Sequence, residues 1–466
     1  MKYSMKKISI TLQDIFDLPG AEIVHPELLK PITMVTIDSR TVKKGGLYIA
    51  IKGEKHDGHT FVESAFENGA SAVMIKSSQY KKFSHLEKPL ILVSDTVKSL
   101  GDLAKVWRSK LDAMVIAITG SNGKTGTKDY AATILSSLGK VTATVANNNN
   151  HIGVPLTLFS AKGTDQYVVA EAGTNHFGEI PYTAAIAQPD IALITNIGDS
   201  HLEFLQDRKG VLKEKSALFD AAAAHGGLVV VNIDDPLLKK LVKRYPKVMT
   251  YGTSDGADVK GVIDGPDAFG KTTLTIQYKK KKAVLIPPVA GWHNAFNVLA
   301  ACAAALAAGA GLDALKKGVA KLKAPKQRLN ITELKSLVLI DDTYNANPAS
   351  MKAGIEFAAA IYPEKKKYLV LGDMFELGDD AVVRHQELAK LKAFKSITMT
   401  LTVGKGMLHL NEALVKKGMD AKHFSSPAKL LSFLSKSDFQ NAVVLVKGSR
   451  GMKMETYIPA IIGGVK

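Results

Sequence analysis

The fold is decided by the stretch Met114-Val-Ile-Ala-Ile-Thr-Gly-Ser-Asn-Gly-Lys-Thr125. Its first half is an apolar run that predicts a buried strand, and a helical pattern follows the glycine-rich turn and continues through Leu138. A strand, a glycine turn and a helix in this order form a cradle, because backbone N–H groups and the positive end of the helix dipole converge on phosphate. The stretch therefore predicts a phosphate-binding loop, made of Gly120, Ser121, Asn122, Gly123, Lys124, Thr125 and Gly126.

Two side chains of this loop carry its chemistry. The Lys124 ammonium suits the β and γ phosphates of a nucleotide, and the Thr125 hydroxyl suits Mg²⁺. The loop has two residues, rather than the usual four, between its first glycine and Gly-Lys. A chance glycine turn before a helix is the alternative interpretation.

Alternating strands and helices surround this loop. Further strands are predicted at Gln166–Glu171, Ile191–Asn196 and Gly227–Asn232, each followed by turn residues and a helical stretch. A hairpin is predicted over Thr272–Ile286, and a helix runs from Trp292 through Ala308. This alternation predicts an α/β fold with a mostly parallel, doubly wound central sheet.

The chain divides into three predicted domains. Residues 1–110 form a first α/β unit, residues 111–323 the unit with the phosphate loop, and residues 324–466 a smaller C-terminal α/β unit. A reset of the pattern near Lys323–Pro325 marks the second boundary. The third unit contains the predicted strands Val338–Asp342, Lys367–Leu371, Thr398–Val403 and Ala442–Lys447.

Composition narrows the class of protein. The single cysteine of the 466 residues, Cys302, excludes an intramolecular disulfide framework and a cysteine-based zinc site, and its Ala-rich surroundings favour a buried filler over a reactive thiol. The basic N-terminus Met1–Lys7 leads into an apolar stretch too short for a signal peptide. No uncharged apolar run approaches the ~18 residues of a membrane span. We expect a soluble cytoplasmic protein.

The formal charge of +17 is compatible with nucleic acid, a membrane surface or anionic small substrates. The lysines are spread along the chain, with short clusters at Lys279–Lys282 and Lys365–Lys367 and no interleaved aromatic residues. This distribution favours a solvated lysine surface over nucleic-acid binding, while a positive field would still assist phosphate-rich substrates.

Several polar residues follow predicted strands, each with a structural alternative. Glu171 could hold Mg²⁺ opposite Thr125 or simply end a strand in solvent. His201 alone is more often structural than a ligand. Asn294 could cap the Ala-rich helix or read an adenine edge. The segment Lys447-Gly-Ser-Arg450 is a candidate docking point for a carboxylate or phosphate.

Taken together, the motifs resemble the Mur ligases in order and spacing over nearly the whole chain. The matching elements are Asp38-Ser-Arg40, Gly53-Glu-Lys-His-Asp-Gly-His59, Gly120–Thr125, Asn149-Asn-His-Ile-Gly-Val-Pro155, Glu171-Ala-Gly-Thr-Asn175, His201-Leu-Glu203, His293-Asn294, Asp342-Thr-Tyr-Asn-Ala-Asn-Pro348, Leu371-Gly-Asp-Met-Phe-Glu-Leu-Gly378 and Lys447–Arg450. The Tyr344–Pro348 and Gly372–Gly378 elements look like the branch of the family that adds D-alanyl-D-alanine to UDP-N-acetylmuramoyl-tripeptide.

The resemblance implies a three-domain, ATP-dependent, amide-bond-forming ligase that works through an acyl phosphate and releases ADP. The N-terminal domain would bind the UDP end, the central domain ATP and Mg²⁺, and the C-terminal domain the incoming D-alanyl-D-alanine. The enzyme would act in peptidoglycan precursor synthesis, as a monomer, with no nucleic-acid or membrane-inserted partner.

The resemblance also implies functional roles for residues whose own sequence signals are weak. Thr125 and Glu171 would hold one Mg²⁺, and His201 a second one together with Lys215, whose side chain would be carbamylated; Lys213 is the neighbouring alternative. Asn294 would contact adenine, Asp342 ribose, and Arg328 the γ-phosphate, with Lys124, Lys215, His201 and Arg328 as the catalytic set. Predicted substrate contacts are Ser39, Arg40, Asn149, Asn150, Asn175, Tyr344, Asn345, Asn347, Lys447, Ser449 and Arg450.

The chain departs from the family pattern at two places. The family usually continues Gly-Lys-Thr with Thr or Ser, where this chain has Gly126, predicted as the second helical residue. The family also tends to place Gly-Glu after the modified lysine, where this chain has Ser216-Ala217.

Three other functions compete with this reading. A different member of the superfamily, such as the enzyme that adds the third peptide residue or a folylpolyglutamate synthetase, would lack the Tyr344–Pro348 element. A P-loop switch or motor would carry the four-residue spacing and an Asp on the second strand, where this chain has Glu171. A nucleic-acid-binding protein would need a contiguous basic face.

Overall fold

The computed structural model describes residues 8–463, and these fold around three β-sheets. The basic segment Met1–Lys7, on which the expectation of no signal peptide partly depends, lies outside the described residues. Residues 464–466 do so too. Within the described part of the chain, no helix combines the length and the apolar character needed to cross a membrane.

The N-terminal sheet has five strands in the order β1-β5-β4-β3-β2. Only the pairing of β1 with β5 is antiparallel. The strands are β1 Glu22–Val24, β2 Met34–Thr36, β3 Gly46–Ile49, β4 Ala70–Lys76 and β5 Leu90–Val93. The helices are α1 Leu12–Phe16, α2 Val62–Glu67 and α3 Thr96–Lys110.

The central sheet has nine strands in the order β14-β13-β12-β11-β10-β9-β6-β8-β7. The strands are β6 Met114–Thr119, β7 Val141–Ala143, β8 Tyr167–Glu171, β9 Ile191–Ile194, β10 Leu228–Asn232, β11 Val248–Gly252, β12 Val259–Asp264, β13 Thr273–Tyr278 and β14 Lys281–Leu285. The first seven run parallel, and β13 and β14 add an antiparallel edge. The mostly parallel central sheet is thus confirmed, with β6 between β8 and β9, at a switch point of the strand order where open α/β sheets bind ligands.

Eight α-helices accompany the central sheet in the described chain. They are α4 Lys124–Leu135, α5 Gly153–Ser160, α6 Glu179–Ala187, α7 Leu202–Leu205, α8 Arg208–Ala224, α9 Pro236–Lys239, α10 Trp292–Ala307 and α11 Leu312–Val319. Cys302 is buried in the core formed by α10, as predicted, and burial raises the pKa of its thiol.

The C-terminal sheet has six strands in the order β15-β16-β20-β17-β18-β19, all parallel except β15. The strands are β15 Asn330–Leu334, β16 Leu337–Asp342, β17 Lys366–Gly372, β18 Met399–Val403, β19 Ala421–Phe424 and β20 Ala442–Lys447. The helices are α12 Pro348–Ala360, α13 Ala381–Glu387, α14 Lys405–Lys416, α15 Pro427–Leu434 and α16 Ile458–Gly463.

The first two units share one hydrophobic core. Trp107 of α3 packs in a cluster that includes Val115 and Leu158 of the central unit, and its indole N–H donates to the Leu158 carbonyl at 3.1 Å. Arg108, buried beside it, donates to the carbonyls of Ala187 and Gln188. The junction near residue 110 is therefore a packed interface.

The start of α10 at Trp292 was predicted correctly, whereas the capping alternative for Asn294 and the predicted helical position of Gly126 are wrong. Helix α10 begins at Trp292 with Gly291 as its N-cap, at φ 89°, so Asn294 lies inside the first turn and does not cap the helix. Helix α4 begins at Lys124 after the N-cap Gly123, which makes Gly126 the third helical residue instead of the second. Both helices start with a glycine because the chain enters them with a positive φ.

Candidate active site

A cavity of about 690 Å³ lies where the carboxyl end of the central sheet faces the C-terminal sheet. The predicted site residues in its wall are Ser121, Asn122, Gly123, Lys124, Thr125, Gly126, Asn149, Glu171, Asn175, His201, Asn294, Arg328, Asp342, Tyr344, Asn345, Asn347, Lys447, Ser449 and Arg450. Five others are outside the wall: Gly120, Lys215, Asn150, Ser39 and Arg40. The structure therefore brings together residues from two predicted domains.

Residues at the end of the neighbouring strand hold the phosphate loop in place. The Asn196 side-chain oxygen accepts the Asn122 backbone N–H at 3.0 Å, and the Thr195 hydroxyl donates to the Asn122 carbonyl at 2.5 Å. The Ser121 hydroxyl accepts the Gly198 N–H at 2.9 Å. These contacts fix the loop without using the N–H groups at the start of α4, which stay available for an anion.

Lys124 is folded against its own loop. Its Nζ donates to the carbonyls of Gly120 at 2.6 Å and Ser121 at 3.3 Å. Burial lowers the pKa of Lys124, Glu171 opposes this shift, and Arg328 adds to it. A phosphate at the loop would supply the negative charge that this buried ammonium lacks.

Thr125 and Glu171 meet as predicted for a metal site. The Thr125 hydroxyl donates to Glu171 Oε1 at 3.2 Å, and the Asn149 amide donates to the same oxygen at 2.8 Å. The other carboxylate oxygen, Oε2, is buried without a hydrogen-bond partner in the described chain. An unpartnered buried carboxylate oxygen beside a hydroxyl fits the oxygen ligands that Mg²⁺ prefers.

Lys215 is completely buried, and its Nζ has no hydrogen-bond partner among residues 8–463. Burial lowers the pKa of Lys215 well below its usual value; Lys124 adds to this shift and Glu214 opposes it. Lys213 is exposed on the other side of α8, with its Nζ 5.8 Å from the centre of the Phe177 ring. Of the two lysines, only Lys215 is an unsatisfied buried amine.

His201 faces the C-terminal unit. It has a φ of 53°, and its Nδ1 lies 2.7 Å from Oε2 of Glu376, although the N–H is not aligned for a hydrogen bond. The His201 side chain lowers the pKa of the Glu376 carboxyl, against the opposing effect of burial. Among residues 8–463, no three His, Cys, Asp or Glu side chains are grouped to hold a metal ion. A metal at this site would therefore also need ligands of other types, such as the Thr125 hydroxyl or a modified lysine.

Arg328 crosses from the C-terminal unit to the phosphate loop. Its Nη2 donates to the Thr125 hydroxyl at 3.1 Å, and its guanidinium lies 3.9 Å from the centre of the Tyr344 ring. Asn347 makes a second crossing, where its amide donates to the Asn122 side-chain oxygen at 2.7 Å.

Asp342 and Lys447 form a buried ion pair at 2.6 Å, and Lys447 also donates to the Asn345 carbonyl at 3.0 Å. The other Asp342 oxygen accepts the Leu329 N–H at 3.1 Å. The charges of this pair are therefore already compensated, although both residues line the cavity.

The remaining predicted contact residues of the cavity wall bond to other residues of the protein. Asn294 accepts from the Tyr130 hydroxyl at 3.2 Å and donates to the Ala290 carbonyl at 2.8 Å. Ser449 is buried, and its hydroxyl accepts the Phe375 N–H at 2.8 Å. Arg450 is paired with Glu455 at 2.9 Å, and the Asn175 N–H donates to Glu179 at 2.6 Å.

Three predicted substrate contacts lie away from the cavity. Asn150 uses its side-chain oxygen to accept the N–H groups of Ile152 and Gly153 at the start of α5. Arg40 is exposed and paired with Asp38, and Ser39 beside it is buried in the N-terminal unit.

Sequence reasoning missed several residues in or near the cavity. Thr195 and Asn196 brace the loop, Glu376 contacts His201, and Asn297 packs on the loop glycines. Glu376 lies inside the quoted motif Leu371–Gly378, and Asn297 follows His293-Asn294 by three residues, so these motifs were the available signal.

Comparison with known proteins places these motifs in one family. Family models match residues 31–108 (Mur ligase family, catalytic domain), 118–305 (Mur ligase middle domain) and 327–450 (Mur ligase, glutamate ligase domain). A relative from Bacillus subtilis, UDP-N-acetylmuramoyl-tripeptide--D-alanyl-D-alanine ligase, is 35% identical over 98% of this chain and 99% of its own length.

Solved structures agree with the sequence match. The crystal structure of MurF from Acinetobacter baumannii is 31% identical, with a TM-score of 0.85 over 98% of this chain and 99% of that one. MurF ligase from Thermotoga maritima in complex with ADP is 26% identical, with a TM-score of 0.80 over 92% of this chain and 97% of that one.

Proposed function

The chain belongs to the Mur ligase family, and we propose that it joins D-alanyl-D-alanine to UDP-N-acetylmuramoyl-tripeptide in an ATP-dependent step of peptidoglycan precursor synthesis. The observation that carries the proposal is the near full-length match to a ligase of that name and to MurF structures. The ADP complex of the Thermotoga maritima protein supports the use of a nucleotide.

The reaction proceeds by acyl activation. The terminal carboxylate of the tripeptide attacks the γ-phosphorus of ATP, the bond to the β-phosphate oxygen breaks, and ADP leaves. The amine of D-alanyl-D-alanine then attacks the acyl carbon, a proton is lost from nitrogen, and orthophosphate leaves. Lys124 and Arg328 stabilise the charge on the transferred phosphoryl group, which explains two cations on one side of the cavity.

Two metal positions belong to this proposal. Thr125 and the free Oε2 of Glu171 would hold one Mg²⁺. His201 and a carbamate on Lys215 would hold a second one. When bound, Mg²⁺ adds positive charge next to the phosphates of ATP.

Carbamylation converts the buried Lys215 from an unsuitable group into a ligand. An ammonium cannot bind a cation, whereas the neutral amine attacks CO₂, loses a proton and becomes an anionic carbamate. The burial that lowers the pKa of Lys215 favours the neutral amine. It also leaves Nζ without a competing partner.

The other assignments complete a three-domain arrangement. Residues 1–110 bind the UDP end with Ser39 and Arg40, residues 111–323 bind ATP with the phosphate loop and Asn294, and residues 324–466 bind D-alanyl-D-alanine. Asp342 contacts ribose, and the remaining substrate contacts are those predicted from the motifs. The enzyme acts in the cytoplasm as a monomer. Domain closure keeps water from the acyl phosphate.

A coupled assay of phosphate release tests this function and its rivals. ATP turnover should require both a UDP-tripeptide and D-alanyl-D-alanine, with the diaminopimelate and lysine forms of the tripeptide compared in parallel. Turnover with a single amino acid in place of the dipeptide would instead indicate another superfamily member. Turnover without either substrate would indicate a P-loop switch or motor.

A further inference from the structure

Glu376 reaches across the cavity from the C-terminal unit to His201 of the central unit. Its carboxylate oxygen Oε2 lies 2.7 Å from Nδ1 of His201, and both residues line the cavity. Glu376 follows β17 in the chain, and His201 is the N-cap of α7. The function proposed above makes His201 a metal ligand and gives Glu376 no role.

Both residues adopt a backbone conformation that is uncommon for side chains other than glycine. The φ angle is 62° at Glu376 and 53° at His201, in the left-handed region. Such conformations persist only where the surrounding structure imposes them, and they concentrate at functional sites. Two residues of this kind therefore face each other across the boundary between two units.

The segment that leads to Glu376 is anchored in the C-terminal unit. The Met374 N–H donates to Nε2 of the buried His385 at 3.0 Å, and the Phe375 N–H donates to the Ser449 hydroxyl at 2.8 Å. The C-terminal unit thus sets the position of the carboxylate. The distance from this carboxylate to the facing imidazole depends on how the two units are placed.

We propose that Glu376 is a positioning residue that orients the His201 imidazole for the second Mg²⁺ and makes that metal site depend on docking of the C-terminal unit. A carboxylate beside Nδ1 favours the tautomer with its proton on Nδ1 and leaves Nε2 as the ligand atom. Because the two atoms are already at hydrogen-bond distance, a turn of the ring suffices to align the Nδ1–H with Oε2. The proposal rests on the proposed function, because it requires a metal at His201.

The contact couples metal binding to the arrangement of the two units. If the C-terminal unit moves away, the His201 imidazole loses the carboxylate that orients it. By linkage, a metal bound at His201 should in turn favour the docked arrangement. The contacts of Arg328 with Thr125 and of Asn347 with Asn122 tie the same unit to the phosphate loop. The same movement would therefore complete both the nucleotide site and the second metal site.

The test counts Mn²⁺ bound to the full chain, saturated with the nonhydrolysable analogue AMP-PNP, by electron paramagnetic resonance. Mn²⁺ accepts the same classes of ligand as Mg²⁺. We expect two bound Mn²⁺ in the wild type. Glu376→Ala should weaken one of these sites about 10–100-fold and leave the other unchanged, because a histidine ligand loses its orienting partner. Glu376→Gln, whose side-chain oxygen can still accept from Nδ1, should lie between Glu376→Ala and the wild type.

A matched control separates positioning from folding. Asp379 is an exposed carboxylate further along the same segment, so Asp379→Ala should bind both Mn²⁺ with the affinity of the wild type. Melting temperatures check the fold of each variant, and Glu376→Gln carries the test if Glu376→Ala does not fold. Unchanged affinity at both sites in the Glu376 variants would overturn the proposal, as would a wild type that binds AMP-PNP with a single Mn²⁺. A wild-type chain that does not bind AMP-PNP would instead contradict the proposed function itself.

Discussion

The guanidinium of Arg328 donates to the hydroxyl of Thr125 at 3.1 Å, across 203 positions of the chain. Arg328 lies near the start of the C-terminal unit, and Thr125 is the second residue of α4, the helix that follows the phosphate loop. This contact and the pair Asn347–Asn122 tie the loop to the domain that we propose binds the incoming amine. A phosphate bound at the loop would lie next to this contact, within reach of both groups.

Substitution of Arg328 tests that placement. We expect Arg328→Ala to lower kcat about 10²–10³-fold, because a preorganised charge on the transferred phosphoryl group is lost. Arg328→Lys should recover only part of this rate, since an ammonium cannot reproduce the guanidinium geometry. Steady-state kinetics measure both, with thermal melting as the control for folding. A kcat for Arg328→Ala within threefold of the wild type would remove Arg328 from the catalytic set.

Lys124→Ala should abolish turnover, with a loss on the order of 10³-fold or more, and should leave the fold intact. Its hydrogen bonds go to the loop carbonyls of Gly120 and Ser121 at the cavity wall, so its removal should leave the packed core unchanged. Circular dichroism checks the fold and phosphate release checks the rate. Activity near that of the wild type would refute the phosphate-loop assignment.

The sequence predicted the central part of the fold better than its edges. Strand β6 was predicted with its observed bounds, because a long apolar run before a glycine turn has few alternatives. In the central and C-terminal sheets, no separate prediction was made for strands β7, β11, β12, β15 and β19. Strand β12, Val259–Asp264, alternates buried residues with Lys260 and Asp264 and contains Gly261, so its period is visible but its apolar content is low.

In the candidate site, too, the sequence predicted some features and not others. Loop residues follow from local spacing, whereas the contact of His201 with Glu376 joins two domains and has no local signal. Lys215 did have one: with Val211, Leu218 and Ala222 it forms the buried stripe of α8, at helical spacing. A lysine inside an apolar stripe indicates a functional amine, and Lys213, two positions away, falls on the opposite face.

The products of the reaction distinguish two kinds of activation. Acyl-phosphate chemistry predicts that ATP turnover depends strictly on substrate and yields ADP and orthophosphate. Chromatography of the nucleotides after reaction with UDP-tripeptide and D-alanyl-D-alanine makes the measurement. Detection of AMP and pyrophosphate would exclude this mechanism, because those products arise from adenylate formation.

Arg108 should stabilise the interface between the first two units. Its guanidinium donates to two carbonyls and to Asp190 at 2.8 Å, in a buried position. Arg108→Ala removes the side-chain donor from the two buried carbonyls and leaves Asp190 Oδ2 with the Val115 N–H alone, so it should reduce the free energy of unfolding by about 2–4 kcal/mol. Urea denaturation measures the change. Arg40→Ala is the matched control, because Arg40 is exposed and its ion pair with Asp38 should contribute little to the free energy of unfolding.

Carbamylation of Lys215 gives the most specific prediction. Lys215→Ala should be nearly inactive, because the buried amine that we propose becomes an anionic metal ligand is lost. Acetate or formate, small enough to occupy the vacated space, should restore part of the rate by supplying a carboxylate. Lys213→Ala is the matched control and should be close to the wild type, since that side chain is exposed over Phe177.

Each outcome of this experiment points to a different conclusion. Rescue of Lys215→Ala by short carboxylates, together with a signal for bound ¹³CO₂ in the wild type that Lys215→Ala lacks, would establish the carbamate. A dead and rescuable Lys213→Ala would move the assignment by two residues, against the burial of the two side chains. Full activity of both variants would remove the second metal site, because His201 would then lack its anionic partner on α8. Within residues 8–463 the Lys215 amine is buried without a hydrogen-bond partner, which makes the first outcome the expected one, because an unmodified amine there would destabilise the fold.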